Sequence, residues 1–317
     1  MLAAGGTIAM AGAGPVLPAL DAAALVEAVP PLRDVAGLRA RTVATRPGAR
    51  FTAEEALGVA RAAAEEAATG RGVVVTTGTD TLEELAVLCD MVHGAAAPVV
   101  LTGAMRPSSA PGADGPANLL DAVAVAGAAG AEDAGALVVF AGELHAARAV
   151  RKVDSTGVAA FASPRLGPLG HVREGRVRLE RMQPRRAPLD VARLDARVQI
   201  VPTGLADDGS LLDAALAAGA DGLVAVALGA GHVPPPYLEA LRRAAGRVPV
   251  VVTVRPERGA MLRSTYGFEG AERDVRESGA IPAAALSPAA ARIALMACLG
   301  AGLGRVAIAA ALAADDA

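Results

Sequence analysis

Val73-Val74-Val75-Thr76-Thr77-Gly78-Thr79-Asp80-Thr81-Leu82-Glu83-Glu84 is the stretch whose pattern decides the fold. It opens with an unbroken β-branched run, the mark of a strand buried on both faces. Within a few polar residues it passes into a helix read over 81–92. A short apolar strand feeding a helix through a small polar turn is half of a βαβ unit. The alternation repeats outward from there. Strands are predicted at 73–76, 98–101, 136–140, 198–201, 223–228 and 248–254, and helices at 53–68, 81–92, 117–129, 211–218 and 236–245. Thr52-Ala53-Glu54-Glu55 is a capping box, and Ser287-Pro288 offers an N-cap followed by a proline in the first helical turn. The fold class is α/β: a larger N-terminal domain with a mostly parallel sheet flanked by helices, and a smaller α/β C-terminal domain. A Pro- and Arg-rich linker at 183–197 separates 1–182 from 198–317.

Composition narrows the function. With 30 basic against 33 acidic residues the net charge is −3, which provides no electrostatic footprint for nucleic acid or an anionic membrane. No central apolar run reaches the ~18 residues that a spanning helix needs. The first twenty residues are uncharged, but they lack a basic start, and Gly5-Gly6 and Gly12-Ala13-Gly14-Pro15 break them, so a signal peptide is rejected and a cytoplasmic location expected. Cys89 and Cys298 are too few for a disulfide framework or a zinc cluster and read as buried thiols. Among the 30 basic side chains there is one lysine, Lys152, in a chain that otherwise uses arginine. Arginine does not lose its proton in a protein and a buried lysine can, so a position that resists the bias points to a titratable amine.

Four polar spots interrupt the apolar pattern. Gly5-Gly6-Thr7-Ile8-Ala9 follows a strand, where glycines let the backbone turn and approach a ligand, or simply make a turn. Without GxGxxG spacing or Gly-Lys-Ser it is not a nucleotide fingerprint. In the second spot, Thr79 or Asp80 serves either as a plain helix N-cap or as part of a site at a strand's carboxyl end. The third is Leu101-Thr102-Gly103-Ala104-Met105-Arg106-Pro107 with Ala113-Asp114-Gly115-Pro116-Ala117-Asn118; Asn118, the one asparagine, reads as a structural hydrogen bond holding a long loop. The fourth, Val150-Arg151-Lys152-Val153-Asp154, would alone be a surface ion pair.

Together and in this order these residues resemble the bacterial L-asparaginase/glutaminase family, with its TGGTIA-like and HGTDT-like signatures. Here they read Ala4-Gly5-Gly6-Thr7-Ile8-Ala9 and Thr77-Gly78-Thr79-Asp80-Thr81, and the similarity runs on through Gly103–Pro107, Asp114-Gly115-Pro116, Lys152, Gly167-Pro168-Leu169-Gly170 and Tyr266-Gly267-Phe268. The resemblance implies hydrolysis of L-asparagine to L-aspartate and ammonia without metal or cofactor. Thr7 would attack the amide carbonyl and form an acyl-enzyme, while Thr79, Asp80 and Lys152 form a second polar triad. Gly48, Gly78, Asp80, Ala104, His232 and Glu272 are the implied substrate-binding positions. Glu272 aligns with an acid that the family lends from a neighbouring subunit, and reads equally as an ordinary surface glutamate; His232 falls where an asparagine is frequent, and is otherwise structural. A homotetramer or homodimer with sites near subunit interfaces is the implied assembly.

Several positions depart from the family pattern. No tyrosine or other hydroxyl residue occurs from Ile8 to Pro30, where the family has a loop tyrosine beside the nucleophile. The serine for the substrate α-carboxylate maps onto Pro47-Gly48-Ala49-Arg50, leaving a backbone N–H with Arg46 or Arg50 as substitute charges. Thr77 replaces a histidine, and Met1 to Ala4 make a short first strand. These losses keep two other readings open: a non-catalytic amino-acid-binding protein of the same fold, and an amidase for a different amide such as L-glutamine.

Overall fold

In the computed structural model, which describes residues 1–312 apart from 13–16, 36, 184 and 284, the apolar runs become the strands of two separate units, Met1–Leu189 and Asp190–Ala317. The strands of the first unit are β1 (Leu2–Gly5), β2 (Met10–Ala11), β3 (Leu17–Pro18), β4 (Arg41–Arg46), β5 (Val73–Thr76), β6 (Val99–Thr102), β7 (Ala136–Phe140), β8 (Glu143–Ala146), β9 (Arg151–Lys152), β10 (Phe161–Ala162), β11 (Gly170–Arg173) and β12 (Arg176–Leu179). Eight of them form one sheet in the order β12-β11-β8-β7-β6-β5-β1-β4. From β4 to β7 every pairing is parallel; from β7 to β12 every pairing is antiparallel.

The change of direction has a local cause. Ala141-Gly142 and Glu174-Gly175 are two-residue connections with both residues at positive φ (50° and 78°, 52° and 69°), the geometry of a tight hairpin turn. The antiparallel strands escape the sequence reading because the outermost, Arg-Val-Arg-Leu, is an exposed edge with arginines on its solvent face. The short first strand is nevertheless central: β1 pairs with β4 on one side and β5 on the other, and all four of its residues are buried.

Helices α1 (Ala22–Glu27), α2 (Ala53–Ala68), α3 (Leu82–Val92) and α4 (Gly115–Ala126) belong to this unit. Leu119, Ala122 and Val125, one face of α4 at helical spacing, share a core with Val74, Val100, Leu137 and Val139, alternate residues of β5, β6 and β7. Burying each Leu or Val side chain contributes roughly 1.5–3 kcal/mol, so this layer anchors the sheet on which the polar loops stand. The capping box of α2 is present, with Glu55 N–H donating to Thr52 Oγ1 at 3.1 Å and Thr52 N–H to Glu55 Oε2 at 2.9 Å. Two helix starts differ from expectation. Helix α4 begins at Gly115 because Pro116, lacking an N–H, costs nothing in a first turn. The N-cap of α3 is Thr81, with no side-chain cap hydrogen bond, so Thr79 and Asp80 are not capping that helix.

The second unit holds an all-parallel sheet of β13 (Val198–Pro202), β14 (Gly222–Ala227), β15 (Val250–Val254) and β16 (Ile281–Pro282), with helices α5 (Ser210–Ala217), α6 (Pro235–Ala245), α7 (Glu272–Glu277), α8 (Pro288–Gly300) and α9 (Arg305–Leu312). Ser287 caps α8 as its sequence suggests, its Oγ accepting from Ala290 N–H at 3.0 Å. Between 183 and 197 the described backbone is irregular but not loose. Leu189 N–H donates to Met91 O at 2.6 Å, while Val191 and Leu194 are buried in the second unit and Ala192 N–H donates to Gly300 O at 3.1 Å.

Candidate active site

Strands β1 and β5 lie side by side and parallel, with Leu2 opposite Val75 and Ala3 opposite Thr76. Loops far apart in sequence therefore emerge together at the carboxyl ends, where open α/β sheets bind ligands. Their contact is backbone against backbone. Gly6 has φ 82° and ψ −178°, and a Cβ built there would lie 2.2 Å from Gly78 N; one built on Gly78 would lie 2.7 Å from Gly48 N. No other residue fits a conformation that sets three loops in such contact. Thr7 follows, half-buried at the start of a 3₁₀ turn (Thr7–Ala9), and its hydroxyl makes no hydrogen bond among the described residues.

Lys152 meets the second loop. Its Nζ donates to Thr79 Oγ1 at 2.9 Å and to Asp80 Oδ1 at 3.2 Å. Thr79 is 5% exposed, whereas the Asp80 side chain is 63% exposed, so the cluster runs from a buried hydroxyl to a solvent-facing carboxylate. Lys152 is thus not a plain surface ion pair: the amine bridges a buried hydroxyl and a carboxylate. Among the described residues the N–H groups of Gly78 and Thr79 donate to no protein acceptor, although both residues are buried, and buried N–H groups are rarely left unpaired.

A third loop braces the first. Asp114 accepts from Met105 N–H and Arg106 N–H, each at 2.9 Å, and Asn118 Nδ2 donates to Gly103 O at 3.0 Å and to Asp114 Oδ2 at 3.1 Å. Asn118 Oδ1 accepts from Ala141 N–H at 3.0 Å, so the one asparagine holds a long loop as its sequence position suggests. Ala104 is fully buried inside that loop. Ser108 Oγ donates to Met10 O at 3.0 Å and Ser109 Oγ to Gly12 O at 3.1 Å, fastening the segment after Thr7. These serines escaped the sequence reading, because short polar residues in a loop carry no periodic signal. Gly48 opens a 3₁₀ turn (Gly48–Arg50), and its carbonyl accepts from Thr81 Oγ1 at 3.3 Å. Arg46 is paired with Glu55 at 3.0 Å and so is already engaged as a charge.

In the second unit Glu272 is buried, not a surface glutamate. One of its oxygens accepts from Thr265 N–H at 2.5 Å and Tyr266 N–H at 2.9 Å; the other lies 3.2 Å from His232 Nε2. Burial pushes the carboxyl up, but the backbone N–H groups of Tyr266, Glu272 and Thr265 and the nearby His232 ring outweigh it and hold it below the usual range. The His232 ring meets Tyr266 and Phe268 edge-on, with centroids 4.9 and 5.1 Å away. Among the described residues no three His, Cys, Asp or Glu side chains converge as a metal site would require.

Residues 1–185 match the family described as "Asparaginase, N-terminal", and 197–312 match "Glutaminase/Asparaginase C-terminal domain". The chain belongs to the asparaginase family. A Haemophilus influenzae relative named "Probable L-asparaginase periplasmic" is 34% identical over 93% of this asparaginase and 86% of its own length. "L-asparaginase 2" of Escherichia coli is 32% identical over the same shares, 93% and 86%. Among solved structures, the probable cytoplasmic L-asparaginase from Campylobacter jejuni superposes with a TM-score of 0.86 at 33% identity, covering 98% of this asparaginase and 97% of that chain. Among the described residues of this asparaginase no helix is long and apolar enough to cross a membrane.

Proposed function

We propose that this asparaginase hydrolyses L-asparagine to L-aspartate and ammonia through a threonine ester. The observation that carries the reading is the one lysine of the chain donating at 2.9 Å to a buried threonine hydroxyl, with a carboxylate at 3.2 Å. In this reading Thr7 Oγ attacks the side-chain carbonyl carbon, the C–N bond breaks, and the departing nitrogen leaves as ammonia. A water then attacks the ester and returns the proton to Thr7 Oγ, releasing aspartate. A threonine hydroxyl is a weak nucleophile and needs a proton acceptor within reach; Lys152 acts on Thr79 and through water in that role. The unpaired N–H groups of Gly78 and Thr79 suit the developing oxyanion, and exposed Asp80 suits the substrate ammonium. Gly48, Gly78 and Ala104 shape the pocket walls. His232 and Glu272 serve a neighbouring copy in a homotetramer or homodimer, which light scattering tests. A cytoplasmic location is part of the reading, following the Campylobacter neighbour rather than the relative named periplasmic, and cell fractionation tests it.

One observation favours a second substrate. Pro47–Arg50 carries no hydroxyl, and Arg46 is held by Glu55, so an α-carboxylate there is left with the Gly48 backbone N–H and the exposed Arg50 in place of a fixed hydroxyl. A hydrogen bond to a charged group is worth about 1.5–3 kcal/mol, so weaker discrimination between asparagine and other amides such as L-glutamine is expected. Ammonia release from L-asparagine and L-glutamine side by side, with Thr7→Ala and Lys152→Ala, is the deciding experiment. Turnover abolished in Thr7→Ala and reduced to a small residual rate in Lys152→Ala supports the mechanism. A folded wild-type protein that releases no ammonia at high substrate is instead a binding protein.

A further inference from the structure

The lysine that must meet Thr79 stands on a slender piece of backbone. Strand β9 is two residues long, pairs with the equally short β10, and forms a ladder separate from the eight-stranded sheet. A ladder this short is marginal alone, so its position depends on contacts outside the ladder. Two anchors are present. Lys152 N–H donates to Glu83 Oε2 at 2.8 Å, a hydrogen bond to a carboxylate. On the other strand of the hairpin, Ser163 follows β10, and its hydroxyl lies 3.1 Å from His145 Nδ1 on β8, with both residues almost wholly buried. The Phe161 ring rests on Phe140 of β7 with centroids 4.7 Å apart.

We propose that Glu83 is a positioning residue for Lys152, with the Ser163–His145 contact as the second anchor of its hairpin. The proposal rests on the reading of Lys152 as a reactive residue. Glu83 sits in the first turn of α3, directly after the loop that carries Thr79 and Asp80, where the helix dipole favours an acidic side chain. Loop and helix therefore grip the lysine twice, through its amine at Thr79 and through its backbone N–H at Glu83. This closes a ring: Thr79 to Glu83 along the chain, Glu83 to the Lys152 backbone, and Lys152 Nζ back to Thr79. With the Glu83 contact cut, the grip on the Lys152 backbone is lost, and the amine loses its fixed approach to the hydroxyl. Misplacement of a reactive group lowers the chemical rate more than substrate binding.

The experiment measures kcat and KM by ammonia release for Glu83→Ala, Glu83→Gln and Ser163→Ala, each alone and combined with Lys152→Ala. Glu83→Ala should lower kcat about tenfold to a hundredfold with KM within about threefold. Glu83→Gln, which keeps an accepting oxygen, should recover to within about threefold of wild type, and Ser163→Ala should lose roughly threefold to tenfold. Both losses should shrink to about twofold or less in the Lys152→Ala background, as expected if each residue acts through the lysine. A wild-type kcat in Glu83→Ala, or an undiminished loss without the lysine, overturns the proposal while leaving the reading of Lys152 intact. A fully active Lys152→Ala overturns both. Should Glu83→Ala fail to fold, Ser163→Ala, which removes only a hydroxyl, still carries its own loss of roughly threefold to tenfold, and a wild-type kcat there is decisive against the two-anchor proposal.

Discussion

Replacing Gly6 by alanine puts a methyl group where two loops touch through their backbones. The new Cβ would lie 2.2 Å from Gly78 N, 2.4 Å from Gly78 Cα and 2.5 Å from Thr77 C, all main-chain atoms that cannot rotate aside. Gly6 also has φ 82° with ψ −178°, a combination costing any other residue of order 1–3 kcal/mol. Overpacking adds about 1–3 kcal/mol, so the total is roughly 2–6 kcal/mol, a large share of the ~5–15 kcal/mol that holds a protein folded. At ~2–4 °C per kcal/mol, Tm should fall by roughly 4–24 °C. Relief of the overlap also moves Thr7 away from the Gly78 loop, and a displacement near 1 Å costs about a hundredfold in rate. Thermal unfolding followed by circular dichroism, with ammonia release on the same samples, measures both effects. Gly58→Ala is the control: nothing lies within 4 Å of its added Cβ, and inside helix α2 it should gain about 0.5–1 kcal/mol. A Gly6→Ala protein with wild-type Tm and kcat would refute the backbone-on-backbone packing of the two loops.

Three further perturbations follow from the packing. Burial pushes the His145 ring down to about 4, with His171 adding to the effect, so the unfolded chain, at 6.5, takes up the proton first. Stability from this group is then full above pH 6.5 and is lost as pH falls toward about 4, on the order of 3 kcal/mol at 1.36 kcal/mol per pH unit. Urea unfolding between pH 7.5 and 4.5 (assay settings, ~0.5 pH apart) should show that slope, reduced in His145→Asn; an unchanged slope rules out His145 as its source. Asn118→Ala leaves Gly103 O, Ala141 N and one Asp114 oxygen short of a partner and should cost about 2–3 kcal/mol by the same unfolding assay. Thr52→Ala removes the capping box of α2 and should cost about 1 kcal/mol by the same unfolding assay.

What the sequence made legible depended on how local each signal is. The strands at 73–76 and 136–140 and the helix at 53–68 match to the residue, because a β-branched run and a capping box are complete within one segment. The α/β class and the convergence of Thr79, Asp80 and Lys152 were legible for the same reason, combined with a resemblance carried by short motifs. The antiparallel half of the large sheet was not. Its strands are short, its turns depend on positive φ at Ala141 and Glu174, and its edge is made of arginines. The burial of Glu272 was equally hidden, since it depends on backbone N–H groups and a histidine that only the folded chain brings round it. Glu83 stood in the decisive stretch without a role assigned to it, because its partner is a backbone N–H on a hairpin beyond the reach of periodicity.

The position of β1 bears on how the protein is made. Strand β1 is translated before both of the strands it pairs with, and it is not an edge but the second strand in from one side, flanked by Arg41–Arg46 and Val73–Thr76. It has no ladder partner until the chain has grown past both, and the lysine arrives later still, on a hairpin anchored to Glu83 and His145. Pairings this distant in sequence close slowly, so Thr7 waits in an unformed loop through most of the synthesis of its own unit. A nascent chain shorter than that hairpin has Thr7 and its glycine turn but not Lys152, so under the proposed mechanism the ability to release ammonia is acquired in one late step.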